Sequence, residues 1–509
     1  MPRNTEKKVV IIGGGPAGLT AAWELSKADI SSVVLEKDHV VGGIARTINY
    51  RGYRFDIGGH RFFTKVRAVD QMWREVLAED EFLHCSRLSR IYYNRKFFYY
   101  PLRAANALLG LGLWNSVLIL LSYIKARIFP VRPEETLEQW VSNRFGRRLY
   151  HIFFKTYTEK VWGIPCSEIR AEWAAQRIKG LSLVSAVKNA IFAARPKNKA
   201  EVIKTLIDAF DYPKHGPGQM WETVTRLVEQ RGHRVKLGSD VVKIIWHGNQ
   251  VESVIIERDG LRDSVSGTDF ISSMPLRELV EKLDPPAPDE VRRAAQKLSY
   301  RDFLTVALII NRRELFPDNW IYVHDPEVKL GRIQNFKNWS KYMVPDESQT
   351  CLGLEYFCFE GDGLWTMSDA ELIELGKREL EQINLARADE VTDGAVVRMP
   401  KAYPVYDGVY AEALNVVREF LSSFTNLQMV GRNGMHKYNN QDHSMLTAML
   451  AARNVINADG KQYDLWKVNA DQEYHEEVTD NDESNEWAEL AATQPKVPER
   501  LAGASGVST

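Results

Sequence analysis

Cysteine is scarce in this chain: Cys85, Cys166, Cys351 and Cys358 are four among 509 residues, with no CxxC pair and no histidine cluster at ligand spacing. That excludes a disulfide scaffold, leaves no metal site to expect, and fits a reducing compartment. An excess of either charge is missing too. With 66 Lys+Arg against 67 Asp+Glu the formal net charge is -1, so no global positive field exists to neutralise phosphates, and nucleic acid is not an expected partner. The leader MPRNTEKK passes straight into VVII without the apolar core and cleavage site of a secretory signal, so a cytoplasmic location is expected. One run alone raises the question of a membrane: Ala107 to Ile124, ALLGLGLWNSVLILLSYI, 18 residues flanked by Arg103, Lys125 and Arg127. Asn115, Ser116 and Ser122 interrupt it, and a single span would put on opposite faces the stretches before and after it that build a common site. The expectation is therefore a long helix buried in a domain or at a subunit interface, with no transmembrane span. Peripheral contact with a membrane stays open, and a homo-oligomer is expected.

What the chain has is apolar mass, 44% hydrophobic and 10% aromatic, enough for two or three domains. VVII at 9–12 predicts a buried strand, Ala17 to Lys27 a helix and SVVLE at 32–36 a second strand, a βαβ opening. From about Leu88 to Leu206 the pattern is mostly helical and rich in aromatics, broken at Pro130 and Pro133, and reads as an insertion. Strand periodicity returns after the Gly-Pro-Gly turn at 216–218, in HRVKL, VVKIIW, VESVIIE and FISSM. FLTVALIIN and TCLGLEYF are strand-like runs between 300 and 360, and LQMVG at 427–431 leads to a last helix from about Ser444 to Ile456. Residues 471–489 hold nine acidic side chains and neither Lys nor Arg, so the stretch beyond about Val468 is expected to be disordered.

Gly13, Gly15 and Gly18 form GxGxxG directly after the first strand and at the opening of the helix, and Glu36 closes the second strand. Glycine there lets the backbone turn tightly and approach a pyrophosphate at a helix amino terminus, while a carboxylate at 36 can accept both ribose hydroxyls. The spacing alone leaves NAD and FAD open. The continuation, VGGIART at 41–47 with Gly42 and Gly43, FDIGGHRFF at 55–63 with Gly59 and His60, and GRNG at 431–434 with Gly431 and Arg432, resembles the glutathione-reductase-like flavoproteins. That resemblance implies FAD and an α/β fold: a glutathione-reductase-like FAD-binding Rossmann domain with an inserted helical domain and a mixed β-sheet substrate domain. The expected boundaries are FAD-binding segments at 1–87, 206–276 and 405–467, the helical insertion at 88–205, the β-sheet substrate domain at 277–404, and the acidic tail at 468–509.

Within that group the chain resembles the UDP-galactopyranose mutases over most of its length. The marks are GGH at 58–60, FKTYTEKVW at 154–162, WIY at 320–322 with Arg332 beyond it, AYP at 402–404 and KYNNQDHS at 437–444. The resemblance implies His60 beside the flavin ring, Lys155 and Arg332 on two phosphates, and Trp162, Tyr322, Trp339, Tyr403, Tyr438 and Asn440 around the substrate, with Asp442 and Ser444 joining the cofactor contacts. Charge-assisted bonds from Lys155 and Arg332 and hydroxyl-tipped aromatic walls suit a nucleotide-diphosphate sugar. Lys155 stands where these mutases carry arginine, offering a point charge in place of a fork. The implied chemistry is pyranose–furanose interconversion through a sugar adduct at N5 of reduced flavin, in polysaccharide biosynthesis, with NADH or NADPH as electron donor. The alternative is an FAD-dependent oxidoreductase of the protoporphyrinogen oxidase, amine oxidase or desaturase type.

Overall fold

The computed structural model describes residues 7–64, 66–100, 102, 104–171, 209–457 and 462–468. The carboxyl-terminal acidic tail beyond 468 and the end of the expected insertion, 172–205, lie outside the described residues. A parallel five-stranded sheet forms the cofactor layer, in the order Leu427–Met429, Asp269–Ser272, Lys8–Ile12, Ser31–Leu35, Arg234–Lys236. Its inner strands, Lys8–Ile12 and Ser31–Leu35, are apolar runs buried in one core with helix Pro16–Lys27 and with apolar residues of the four-stranded sheet described below, such as Ile244 and Val254. Helix Pro16–Lys27, started by Pro16, packs against helix Gln441–Ile456, most of whose side chains are buried. That last helix begins three residues before the expected Ser444, which puts Asn440 at its cap position. A four-stranded sheet, Leu261–Ser266, Gln250–Arg258, Asp240–His247 and Leu283–Asp284, flanks this layer.

The substrate side is a mixed seven-stranded sheet, in the order Val391–Pro404, Tyr300–Ile310, Thr350–Cys358, Arg332–Asn335, Trp320–Val323, Ser89–Tyr93, Lys96–Tyr99. Tyr300–Ile310 and Thr350–Cys358 are buried at every position, as their apolar runs require of central strands. The last two strands fall within the stretch expected to be helical from residue 88; the helices begin after them, at Ala104–Leu111 and Leu113–Ile128.

The expectation of a long helix over Ala107 to Ile124, buried in a domain or at a subunit interface, is corrected in its continuity and in its burial within the domain. Gly112, at φ +85°, breaks it in two. Leu113 is 84% and Trp114 73% exposed, and Ile119 is the one buried side chain of the second helix. The physical reason lies on the protein side, where Asn115 Oδ1 accepts from Arg148 Nη2 at 2.5 Å and Ser122 Oγ from the Arg148 backbone at 3.2 Å. The polar face is turned inward, so the apolar face is left outside. Among the described residues no helix is long and apolar enough to cross a membrane.

Three histidines are kept neutral by burial, which lowers His60 and His324 to about 3 and His436 to about 4. An unfolded histidine titrates at about 6.5, so between about pH 6.5 and 3 the unfolded chain binds more protons. Stability is complete above that window and falls through it by up to about 1.4 kcal/mol per pH unit for each histidine. Asp56, which burial pushes up to about 7, works in the opposite sense, since the folded state holds its proton. His324→Phe keeps a ring against Tyr157, whose plane lies 5° from that of the imidazole at 4.8 Å. The variant is expected to lose one proton's share of the acid-induced fall in Tm, and an unaltered profile would refute this account.

Candidate functional site

The first strand delivers Gly13 at φ +101°, where a Cβ would sit 2.2 Å from Ser273 Oγ. No side chain caps helix Pro16–Lys27, which leaves its first-turn amides for an anion. Glu36, 8% exposed, accepts from the amides of Gly14 at 2.6 Å and Asp38 at 2.8 Å. Each of those oxygens keeps a lone pair for a ribose hydroxyl. Burial raises the carboxyl above its ordinary range, and the two amides oppose that rise. Gly42, at φ +98°, donates to Gly14 O at 2.8 Å, and Gly43 follows at φ +53°, where a Cβ would lie 3.3 Å from Gly15 Cα.

The groove these residues line has a volume of about 360 Å³ and runs from Glu36 and Val241 to His60. Gly431, Arg432 and Ser444 form its far wall. Arg432 is tied down, donating through Nε to Asn439 O at 2.8 Å and through Nη1 to Ala402 O at 2.9 Å. Open helix amides, a ribose-type carboxylate and glycines where a Cβ would block the cradle fit an extended flavin dinucleotide.

A second cavity of about 240 Å³ opens at the His60 end, sharing Ile44, His60, Arg432 and Gln441 with the groove. Gly59, Tyr322, Arg332, Trp339, Tyr403, Tyr438, Asn440 and Asp442 line it. Tyr403 and Tyr438 stack at 5.6 Å and 22°, with the Arg432 guanidinium 5.4 and 5.3 Å from their ring centres. Trp162 stands behind the pair, 6.3 and 5.9 Å from the two rings. Trp339 contributes its ring alone, because its N–H donates to Asn319 O at 2.9 Å. His60 is at the junction. Burial, with Arg432 and Arg332 nearby, lowers it to about 3, so the junction carries a neutral imidazole.

Arg332 is paired: Nη2 lies 2.5 Å and Nε 2.7 Å from Glu355 Oε2, while Gln334 Nε2 donates to Oε1 at 2.9 Å. Lys155 is not brought to the cavity. It ends the π-helical turn His151–Lys155, where its charge bears on His151 and Cys166. That wider turn shifts the helical phase, and Tyr157 is the residue turned inward, 5.4 Å from Tyr322 and 4.8 Å from His324. The assignment of Lys155 to substrate binding and catalysis is corrected accordingly.

Arg61 supplies a cation that the sequence motifs did not single out. It lines the cavity with its guanidinium 5.7 Å from the Trp320 ring, and its buried Nη1 has no hydrogen-bond partner among the described residues. The signal was its place directly after GGH. Arg87 lies 5.3 Å over the same Trp320 ring.

The fold is similar to that of reduced UDP-galactopyranose mutase, with a TM-score of 0.76 at 21% identity, covering 90% of this chain and 95% of the other. Curated relatives match over short stretches. The 1-hydroxycarotenoid 3,4-desaturase of Flavobacterium sp. (strain P99-3) is 42% identical over 66 residues, 13% of each chain. A protein encoded in the nifH2 3' region of Methanothermococcus thermolithotrophicus is 49% identical over 53 residues, 10% of this chain and 51% of that one. The matched stretches thus span about half or less of these relatives' length. The model of the flavin-containing amine oxidoreductases matches residues 16–456, and with the groove and glycine turn described above the chain belongs to that family of flavin enzymes.

Proposed function

We propose that the chain acts on a nucleotide-diphosphate sugar as a flavin-dependent mutase of the UDP-galactopyranose mutase type. One observation carries this reading: the cavity at the ring end of the groove is lined by Arg61, Arg332 and Arg432, while the carboxylates beside it are Asp442, which accepts from the His443 amide at 2.9 Å, and Glu355, which is paired with Arg332. Such a lining attracts an anion and repels a cationic amine, and the tyrosines and tryptophans beside it suit a base and a sugar. With Lys155 elsewhere, the phosphate contacts fall to Arg61 and Arg332.

A bound flavin supplies the redox-active ring, which is a nucleophile when reduced. The chain's own residues do the rest. Glu36 and the glycine turn fix the dinucleotide, Arg61 orients the anionic end of the substrate, and the stacked Tyr403 and Tyr438 keep water from the junction. His60, neutral, can accept or donate one hydrogen bond there without adding positive charge. NADH or NADPH is proposed as the electron donor.

An oxidoreductase is the second reading, favoured by the partial matches to desaturases; the arginine lining then restricts its substrate to an anionic molecule. The deciding assay incubates holoenzyme with UDP-galactose and other UDP-hexoses, oxidised and after dithionite reduction. Turnover in the reduced state alone, without hydrogen peroxide, is expected. Oxidation of an added substrate with peroxide release and no sugar turnover would overturn the mutase. Arg61→Ala is expected to weaken UDP binding by about 10- to 100-fold through a lost charged hydrogen bond. Lys155→Ala serves as the contrast, with a change below about threefold expected for a residue outside the cavity. The reverse ranking, read by flavin fluorescence titration, would reject the placement of phosphate at Arg61.

A further inference from the structure

The helix Leu113–Ile128 is amphipathic the wrong way round for a water-soluble surface. Leu113, Trp114, Val117, Leu120, Leu121 and Ile124 are all exposed. At 3.6 residues per turn they fall within a sector of about 120°, a continuous apolar stripe. Ile128 and Phe129, 62% and 73% exposed, extend it into the following loop, and Leu109, 82% exposed, extends it before Gly112. The opposite side holds Asn115 and Ser122 against Arg148. The helix is therefore fixed to the protein by polar contacts and cannot roll its apolar face inward without breaking them.

Charge identifies the occupant. Between Phe82 and Pro133 the sequence contains eight Lys and Arg and no Asp or Glu, in a chain whose charges balance as a whole. Exposed Lys125 and Arg127 lie on opposite edges of the stripe by the same helical geometry, and exposed Arg132 follows it. Behind the helix a cleft of about 580 Å³ is lined by Lys96, Arg147, Arg148 and His151 with no carboxylate. A second copy of the chain would press this basic rim against itself in any two-fold arrangement, since each partner offers the same patch. A bilayer with anionic headgroups matches both the stripe and its rim. We propose that the chain docks on the surface of such a bilayer, with the stripe sunk into the headgroup and acyl boundary and the basic rim on lipid phosphates. Docking is shallow, since neither helix is long enough to cross. The inference stands whether the site is a mutase or an oxidase.

The test is flotation of the full flavin-loaded chain with vesicles of phosphatidylcholine plus phosphatidylglycerol, and of phosphatidylcholine alone. The chain is expected to float with the mixed vesicles, and about tenfold less with the neutral ones or at high salt. Trp114→Glu with Leu121→Glu is expected to abolish flotation while flavin content and Tm stay unchanged. Lys125→Glu with Arg127→Glu should remove the preference for phosphatidylglycerol. Failure of the unaltered chain to float with mixed vesicles overturns the proposal, as does flotation that survives both double substitutions. A chain that light scattering shows to be a dimer, that Leu121→Glu makes monomeric, and that floats with neither vesicle assigns the stripe to a second copy instead.

Discussion

Arg332→Ala is expected to cost on the order of 3–5 kcal/mol of folding stability, far more than a surface arginine is worth. Its partner Glu355 is fully buried, and the guanidinium is the cation that neutralises it. Removing the arginine leaves Gln334 as the remaining side-chain donor to a carboxylate that has lost its water. The charge must then be neutralised or the strands must separate to hydrate it, and either route draws on stability. Arg332→Gln with Glu355→Gln is expected to recover most of the loss, because neutral amides can bond to each other and to Gln334. Urea denaturation of the three proteins checks this. A cost below about 1 kcal/mol for the single substitution would mean the pair is solvated. The same pairing tempers Arg332 as a phosphate ligand: much of its charge is already engaged by Glu355, so Arg61 is expected to dominate the response of nucleotide affinity to mutation.

Gly18→Ala is expected to yield protein without bound flavin. A Cβ at this position would lie 1.9 Å from Gly13 O and 3.2 Å from Ile11 Cγ2. The first of these is backbone, so no side chain can swing away, and helix Pro16–Lys27 must lift from the strand. That displaces the first-turn amides from the pyrophosphate and costs about 1–3 kcal/mol in packing as well. Gly363→Ala is the control, because nothing among the described residues lies within 4 Å of the added methyl and its φ is ordinary. Visible absorbance per protein reads the result. A fully yellow Gly18→Ala protein would contradict the described contact between helix and strand.

These two residues show what the sequence made legible and what it hid. Gly18 and Glu36 belong to a local pattern whose geometry is set within one strand, turn and helix, so spacing alone identified them. Arg332 was also identified, but its partner was not: Glu355 meets it through the cross-strand register of two antiparallel strands 23 residues apart in sequence, which no local signal records. Lys155 was placed by the resemblance of FKTYTEKVW to a family segment, and a resemblance of sequence does not record the π-helical turn His151–Lys155. The neutrality of His60 follows from burial, a property of the assembled cavity. Strand Val391–Pro404 escaped notice because Gly394 and Pro400 interrupt a half-buried pattern whose pairing also slips at two points. The outward face of Leu113–Ile128 was not legible, because composition states that a helix has an apolar side and says nothing of where that side faces.

The cofactor layer is stitched from distant pieces of chain, and its last pieces complete it. Gly431, Arg432 and Ser444 wall the groove that Gly13 and Glu36 open, and strand Leu427–Met429 closes one edge of the sheet. During translation more than four hundred residues must leave the ribosome before that wall exists. Capture of the prosthetic group is thus a late event in biosynthesis, and a nascent chain halted before residue 427 has half a cradle and nothing to hold in it.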